Sequence, residues 1–146
     1  GLPHPPIEVD QDPGRWQDVW QGATLIGFIG EEEVARREYS RDAHLADLVV
    51  TPDDDELYCD RVDETRVVCR LVDQCGNLLP YYHGAVQVAV EGDLQLIGPD
   101  VLVALGGTAS FWVKTQPSGR PGKARVRIRV LATDLPERVV DYDLHR

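Results

Sequence analysis

The chain has 146 residues, 42% of them hydrophobic and 27% charged, which is the length of one domain and enough apolar material for a core without disulfide or metal staples. A formal net charge of −10 argues against nucleic acid and anionic membrane as partners, because both are polyanions. No run approaches the roughly 20 apolar residues of a membrane helix. The opening GLPHPPIEVD has neither the basic region nor the apolar stretch of a signal peptide, and the sequence contains no methionine, so it reads as a piece from the interior of a longer protein.

In chain order, the first patterned segment is TLIGFIG, rich in strand formers, followed by EEEVARREY. The second has helical propensity, but it follows the turn residue Gly30, and the pair reads as a β-hairpin over residues 24–29 and 33–39. Leu48 to Thr51 is a short strand stopped by Pro52 and the acidic run Asp53, Asp54, Asp55, Glu56; Leu57 to Cys59 is another. TRVVCRLVD (65–73) alternates, with Val67, Cys69 and Leu71 on one face and Arg66 and Arg70 on the other. QCGN turns the chain. AVQVAVEG (85–92) alternates again, Val86, Val88 and Val90 against Gln87.

LQLIG (94–98) ends at Gly98-Pro99, and DVLVAL (100–105) ends at Gly106-Gly107. TASFWVKT (108–115) puts Ala109, Phe111 and Val113 on one face and Trp112 on the other. After the breaker-rich QPSGRPG comes KARVRIRVLA (123–132), with Ala124, Val126, Ile128 and Val130 inward and Lys123, Arg125, Arg127 and Arg129 outward. ERVVDYDL (137–144) supplies a last strand after Pro136. Short strands between Gly and Pro turns, each with one wet face and no helix between them, predict an all-β fold, an antiparallel β-sandwich.

Several stretches invite a chemical reading. The basic residues of KARVRIRV alternate with apolar ones, as on the wet face of a strand rather than in a basic binding patch. Cys59, Cys69 and Cys75 are an odd set whose spacing matches no zinc or redox motif, which favours free thiols in a reducing compartment. The stretch LVDQCGNLLPYYHG places Cys75 and His83 within reach of a thiol–imidazole pairing, yet Cys69 alternates with core residues, and Asp73, Gly76 and Asn77 have turn chemistry. The acidic run at 53–56 lacks the glycine and spacing of a calcium loop and reads as a solvated turn. Four scattered histidines give no ligand spacing, and neither metal nor cofactor is expected. Trp112 faces away from the core, while Trp16, Trp20, Tyr81 and Tyr82 lie in irregular segments. Such aromatics can stack a sugar; the other reading of Trp112 is that it packs under a neighbouring segment such as the 24–39 hairpin.

VCRLVDQCGNLLP, VQVAVEGDLQLIG, GGTASFWVKT and GKARVRIRV together resemble immunoglobulin-like domains of the invasin/intimin type. They are still more similar to the immunoglobulin-like domain near the C-terminus of glycoside hydrolase family 2 enzymes, the β-galactosidase family. The matching residues are Asp73, Gly76, Asn77, Pro80, Glu91-Gly92, Leu94, Ile97-Gly98, Gly107, Ala109, Phe111, Val113, Gly122, Ala124 and Val126, and the resemblance covers residues 46–132. Upstream, GATLIGFIGEEEVARREYSRDAHLADLVV resembles the end of the preceding β-sandwich in those enzymes.

The resemblance implies that residues 1–45 are a linker and the closing β-hairpin of a preceding β-sandwich, with residues 46–146 forming the immunoglobulin-like domain. It also implies that the two catalytic carboxylic acids lie on a separate (β/α)8 barrel, so none of the 25 acidic residues here is carried over as catalytic. The expectation is a non-catalytic, domain-packing module of a bacterial glycoside hydrolase. Its partners are then the other domains of the parent, with carbohydrate contact on Trp112, Tyr81, Tyr82, Trp16 or Trp20 and self-association through exposed hairpin edges as further expectations. A cytoplasmic parent fits the cysteines. The other readings are a carbohydrate-binding accessory module and a cell-surface adhesin-type domain; the lack of an internal repeat weighs against the last.

Overall fold

The computed structural model describes residues 22–117 and 119–146, which form eleven β-strands and no helix. They fall into two compact units that divide between Asp42 and Ala43.

In the first unit, β1 (Gly22–Ile29) and β2 (Glu32–Ser40) pair antiparallel from Gly22↔Ser40 to Ile29↔Glu32, with a bulge between Gly27 and Phe28. Gly30 turns the chain at φ 63°. The helical propensity of EEEVARREY loses because β2 takes its backbone partners from β1, and intrinsic propensity is a weak prior against such pairing. Glu33 and Arg36 form an ion pair at 2.8 Å, and the Arg37 guanidinium lies 5.7 Å from the Tyr39 ring centre.

The second unit has nine strands: β3 (Asp47–Pro52), β4 (Glu56–Tyr58), β5 (Glu64–Val72), β6 (Gly84–Glu91), β7 (Leu94–Ile97), β8 (Val101–Ala104), β9 (Thr108–Thr115), β10 (Gly122–Val130) and β11 (Arg138–His145). They make a four-stranded sheet, β3-β5-β9-β7, and a five-stranded sheet, β4-β11-β10-β6-β8. This is an immunoglobulin-like sandwich. β3, β5, β9 and β7 take the places of strands A, B, E and D, and β6, β10 and β11 those of C, F and G. After β6 the chain crosses to the opposite sheet as β7, then returns as β8 to extend the β6 edge.

One pair departs from the antiparallel expectation, since β4 runs parallel to β11, Glu56↔Asp143 to His145↔Tyr58. β3 ends at Pro52, Asp53 N–H still donates to Arg66 O at 2.9 Å, and the chain then steps across the acidic turn to join the other sheet as β4. At the other end of β11 the Arg138 side chain returns the link. Its Nε donates to Leu48 O at 3.0 Å and its guanidinium pairs with Asp47, whose carboxyl it holds below the usual range.

The alternating faces fall inward as the sequence predicts. Val67, Cys69, Leu71, Val86, Phe111, Val113, Val126 and Ile128 are buried between the sheets with Leu48, Leu57, Tyr142 and Leu144. The inward Thr115 is fully buried, and its hydroxyl is satisfied because it donates to Tyr58 O at 2.7 Å and accepts from Asp63 N–H at 3.0 Å. That bond clamps the loop after β4 to the end of β9.

Candidate functional site

The stretch from Leu71 to Gly84 leaves β5, turns, and crosses to β6. Asp73 organises the turn: its Oδ1 accepts the Cys75 N–H at 2.9 Å and the Asn77 N–H at 2.8 Å. Burial raises the Asp73 pKa, but the Asn77 and Cys75 amides, the Asn77 side chain and the charge of His44 outweigh it, so the carboxyl titrates below its ordinary range. Gly76 supplies the positive φ, 78°. Cys75 contributes its backbone to this turn, while His83 faces elsewhere: Gly106 N–H donates to His83 Nδ1 at 3.5 Å. Cys69 lies in the core, and burial pushes its thiol up to about 12, so it stays protonated and inert at neutral pH. Cys59 is buried too, its thiol donating to His145 O at 3.0 Å.

Outward charges of the five-stranded sheet are matched across strands. Lys123 pairs with Asp143, Arg125 with Asp141 at 2.7 Å, and Arg127 with Glu91 at 2.7 Å and Glu137 at 2.9 Å. Arg129 donates to Gln87 Oε1 at 2.7 Å. Three of the four basic side chains are therefore charge-paired, and the stretch is a cross-strand ladder rather than a bare cationic patch. In the acidic turn, Asp53 pairs with Arg66 at 3.1 Å, Asp54 N–H donates to Thr65 Oγ1 at 3.1 Å, and Asp55 O accepts from Asp143 N–H at 3.0 Å. Among the described residues no group of three or more His, Cys, Asp or Glu side chains is placed to hold a metal ion.

The aromatic residues separate. Trp112, 43% exposed, stands on the outer face of the four-stranded sheet between Arg66 on β5 and Ile97 on β7. Tyr81, 93% exposed, is in the loop between β5 and β6, where Tyr82 instead packs against the core. Trp16 and Trp20 lie outside the described residues. The loop and the sheet face thus carry separate aromatic positions, not one platform.

Sequence reasoning missed the apolar surface near Tyr81. Leu79 N–H donates to Leu71 O, Leu71 N–H to Gly107 O, and Gly107 N–H to Tyr82 O, all within 3.0 Å, which locks the 78–83 loop to the β8–β9 turn. Gly107 is essential to this contact. Its φ is 75°, and a Cβ there would sit 2.5 Å from Leu79 O. Leu78 and Tyr81 in this loop, and Val103 and Leu105 on and beside β8, are all exposed. The signal was DVLVAL itself, apolar on both faces, the pattern of a strand covered on both sides.

The class that these features define is an immunoglobulin-like β-sandwich module. No family model matches the sequence. A β-galactosidase of Rhizobium radiobacter is 35% identical over 108 residues, covering 74% of this chain and 78% of that protein. A β-galactosidase of Thermoanaerobacterium thermosulfurigenes is 38% identical over 113 residues, 73% of this chain and 16% of the relative. A solved glycosyl hydrolase family 2 member from Bacteroides cellulosilyticus has the same fold, with a TM-score of 0.68 at 17% identity over 86% of this chain and 17% of that one. The chain belongs to the β-galactosidase family. It spans about a sixth of the length of the Thermoanaerobacterium relative, 16%.

Proposed function

We propose that this chain is a non-catalytic immunoglobulin-like domain of a larger bacterial glycosidase, and that its role is to pack against the neighbouring domains and hold them in place. The observation that carries this reading is the 16% share of the Thermoanaerobacterium β-galactosidase that the chain matches, joined to its all-β architecture. A (β/α)8 barrel needs eight helices and about 250 residues. Two side chains with catalytic potential support it too: the Asp53 carboxylate is paired with Arg66, and the Cys69 thiol is sealed in the core. In this reading residues 1–45 are the linker and closing hairpin of a preceding sandwich and 46–146 the domain proper. An isolated two-stranded hairpin is marginal in water, so in the separate chain it also pairs with a second copy along its open edges.

The purified chain is expected to turn over no chromogenic galactoside above blank; turnover would overturn the non-catalytic reading. Self-association is checked by light scattering, where a monomer mass at high concentration contradicts it. A second reading, sugar stacking, has one observation in its favour, the exposed face of Trp112 beside Ile97. Titration of oligosaccharides into the chain and its W112F variant separates the two. A fluorescence change confined to the parent sequence supports stacking, and none across millimolar sugar leaves the packing role alone.

A further inference from the structure

We infer that the apolar end of the sandwich, built from Leu78 and Tyr81 in the β5–β6 loop and Val103 and Leu105 on and beside β8, is the face on which the domain docks to a folded domain that precedes residues 1–42 in the full-length polypeptide. This inference rests on the reading that the chain is one domain of a larger glycosidase. Val103 is 63% exposed and Leu105 69%, on the outer side of an edge strand whose inner side, Leu102 and Ala104, already packs on the core. A strand apolar on both faces is written for cover on both. Elsewhere on that outer sheet face Lys123, Arg125 and Arg127 are paired with carboxylates strand to strand.

The occupant follows from where the chain joins the sandwich. His44 N–H donates to Gln74 Oε1 at 3.3 Å, and Ala46 N–H to Val72 O at 3.0 Å, so residues 43–46 lie beside the β5–β6 turn. That turn continues into the 78–83 loop, which is locked to Gly107. The C-terminus is at the opposite end, where Cys59 N–H donates to His145 O. The covalent link to everything upstream of Ala43 therefore emerges at the apolar end. In the Thermoanaerobacterium relative the matched segment is 16% of the protein, so most of such a polypeptide lies outside the matched segment. A tethered surface starts at high effective concentration, and modest apolar contact suffices to hold it. The partner is an apolar patch on a preceding folded domain, meeting the β8 edge and Tyr81.

Hydroxyl-radical footprinting of the full-length gene product against the 146-residue chain tests this, with the buried Phe111 and Tyr142 as the check of folding in both. Tyr81 and Leu105 are expected to react several-fold less in the full-length protein. A full-length V103D/L105D variant is expected to restore the reactivity of Tyr81, whereas V62D, at an exposed apolar residue near the other end, leaves protection in place. Equal labelling of Tyr81 in both proteins overturns the inference. So does protection already present in the 146-residue chain: if it rises with concentration a second copy is the occupant, and if it disappears on removal of residues 1–42 the N-terminal segment is. If the gene product carries no further folded domain, the proposed function itself falls; if it carries one and Tyr81 stays reactive, only the docking face does.

Discussion

The sandwich and the hairpin are both antiparallel β-structure with alternating side chains, yet they end in opposite states. Val67, Leu71 and Val113 in the sandwich are 0% exposed, while Leu25, Phe28 and Ile29 in the hairpin are 60%, 59% and 71% exposed. The difference is the second sheet. β5 and β9 turn their apolar faces onto β6 and β10, whereas among the described residues β1 and β2 pair only with each other, and a two-stranded ribbon encloses nothing. Alternation in a sequence thus specifies a face, and burial of that face depends on what the remainder of the fold puts opposite it.

Substitutions can break this contrast, and the largest effect belongs to the sandwich core. Phe111→Ala is expected to cost about 3–5 kcal/mol in urea unfolding of the chain, because the ring sits between the sheets and its cavity cannot collapse. Gly107→Ala follows at about 2–3 kcal/mol, since it forces an L residue to φ 75° and meets the Leu79 carbonyl.

Asp73→Asn has a smaller, pH-dependent effect. The Asp73 carboxyl titrates below its ordinary 3.8 in the folded state, so its contribution is complete above that value and disappears as pH falls through the folded pKa. The variant is expected to unfold more readily than the parent sequence at pH 7, and the gap to close toward pH 2. A gap that persists at pH 2 would mean that Asp73 acts by packing alone. Smallest of all, Phe28→Ala is expected to shift sandwich stability by less than about 0.5 kcal/mol; a loss comparable to that of Phe111→Ala would erase the contrast.

Much of the fold was legible. In β10 the strict alternation of Ala124, Val126, Ile128 and Val130 with Lys123, Arg125, Arg127 and Arg129 gives both the strand and its buried face. Asp73, Gly76 and Asn77 announce their turn through side-chain chemistry that acts within four residues. What could not be read is pairing at a distance. Nothing in DLVVTP or ELY says that one strand joins β5 and the next runs parallel to β11, because local pattern specifies a face and not a partner. The neutralisation of Arg127 likewise depends on Glu91, 36 residues away. The apolar end escaped notice for the same reason. The 78–83 loop meets the β8–β9 turn only once Gly107 fits under Leu79.

The most direct test of the packing role is removal of residues 43–146 from the full-length gene product, followed by the pH profile of turnover and the half-life of activity on heating. A domain that only holds its neighbours in place predicts a shortened half-life with an unchanged pH profile in the enzyme that survives. A shifted profile, or loss of turnover in a protein that remains as heat-stable as the intact one, would contradict it.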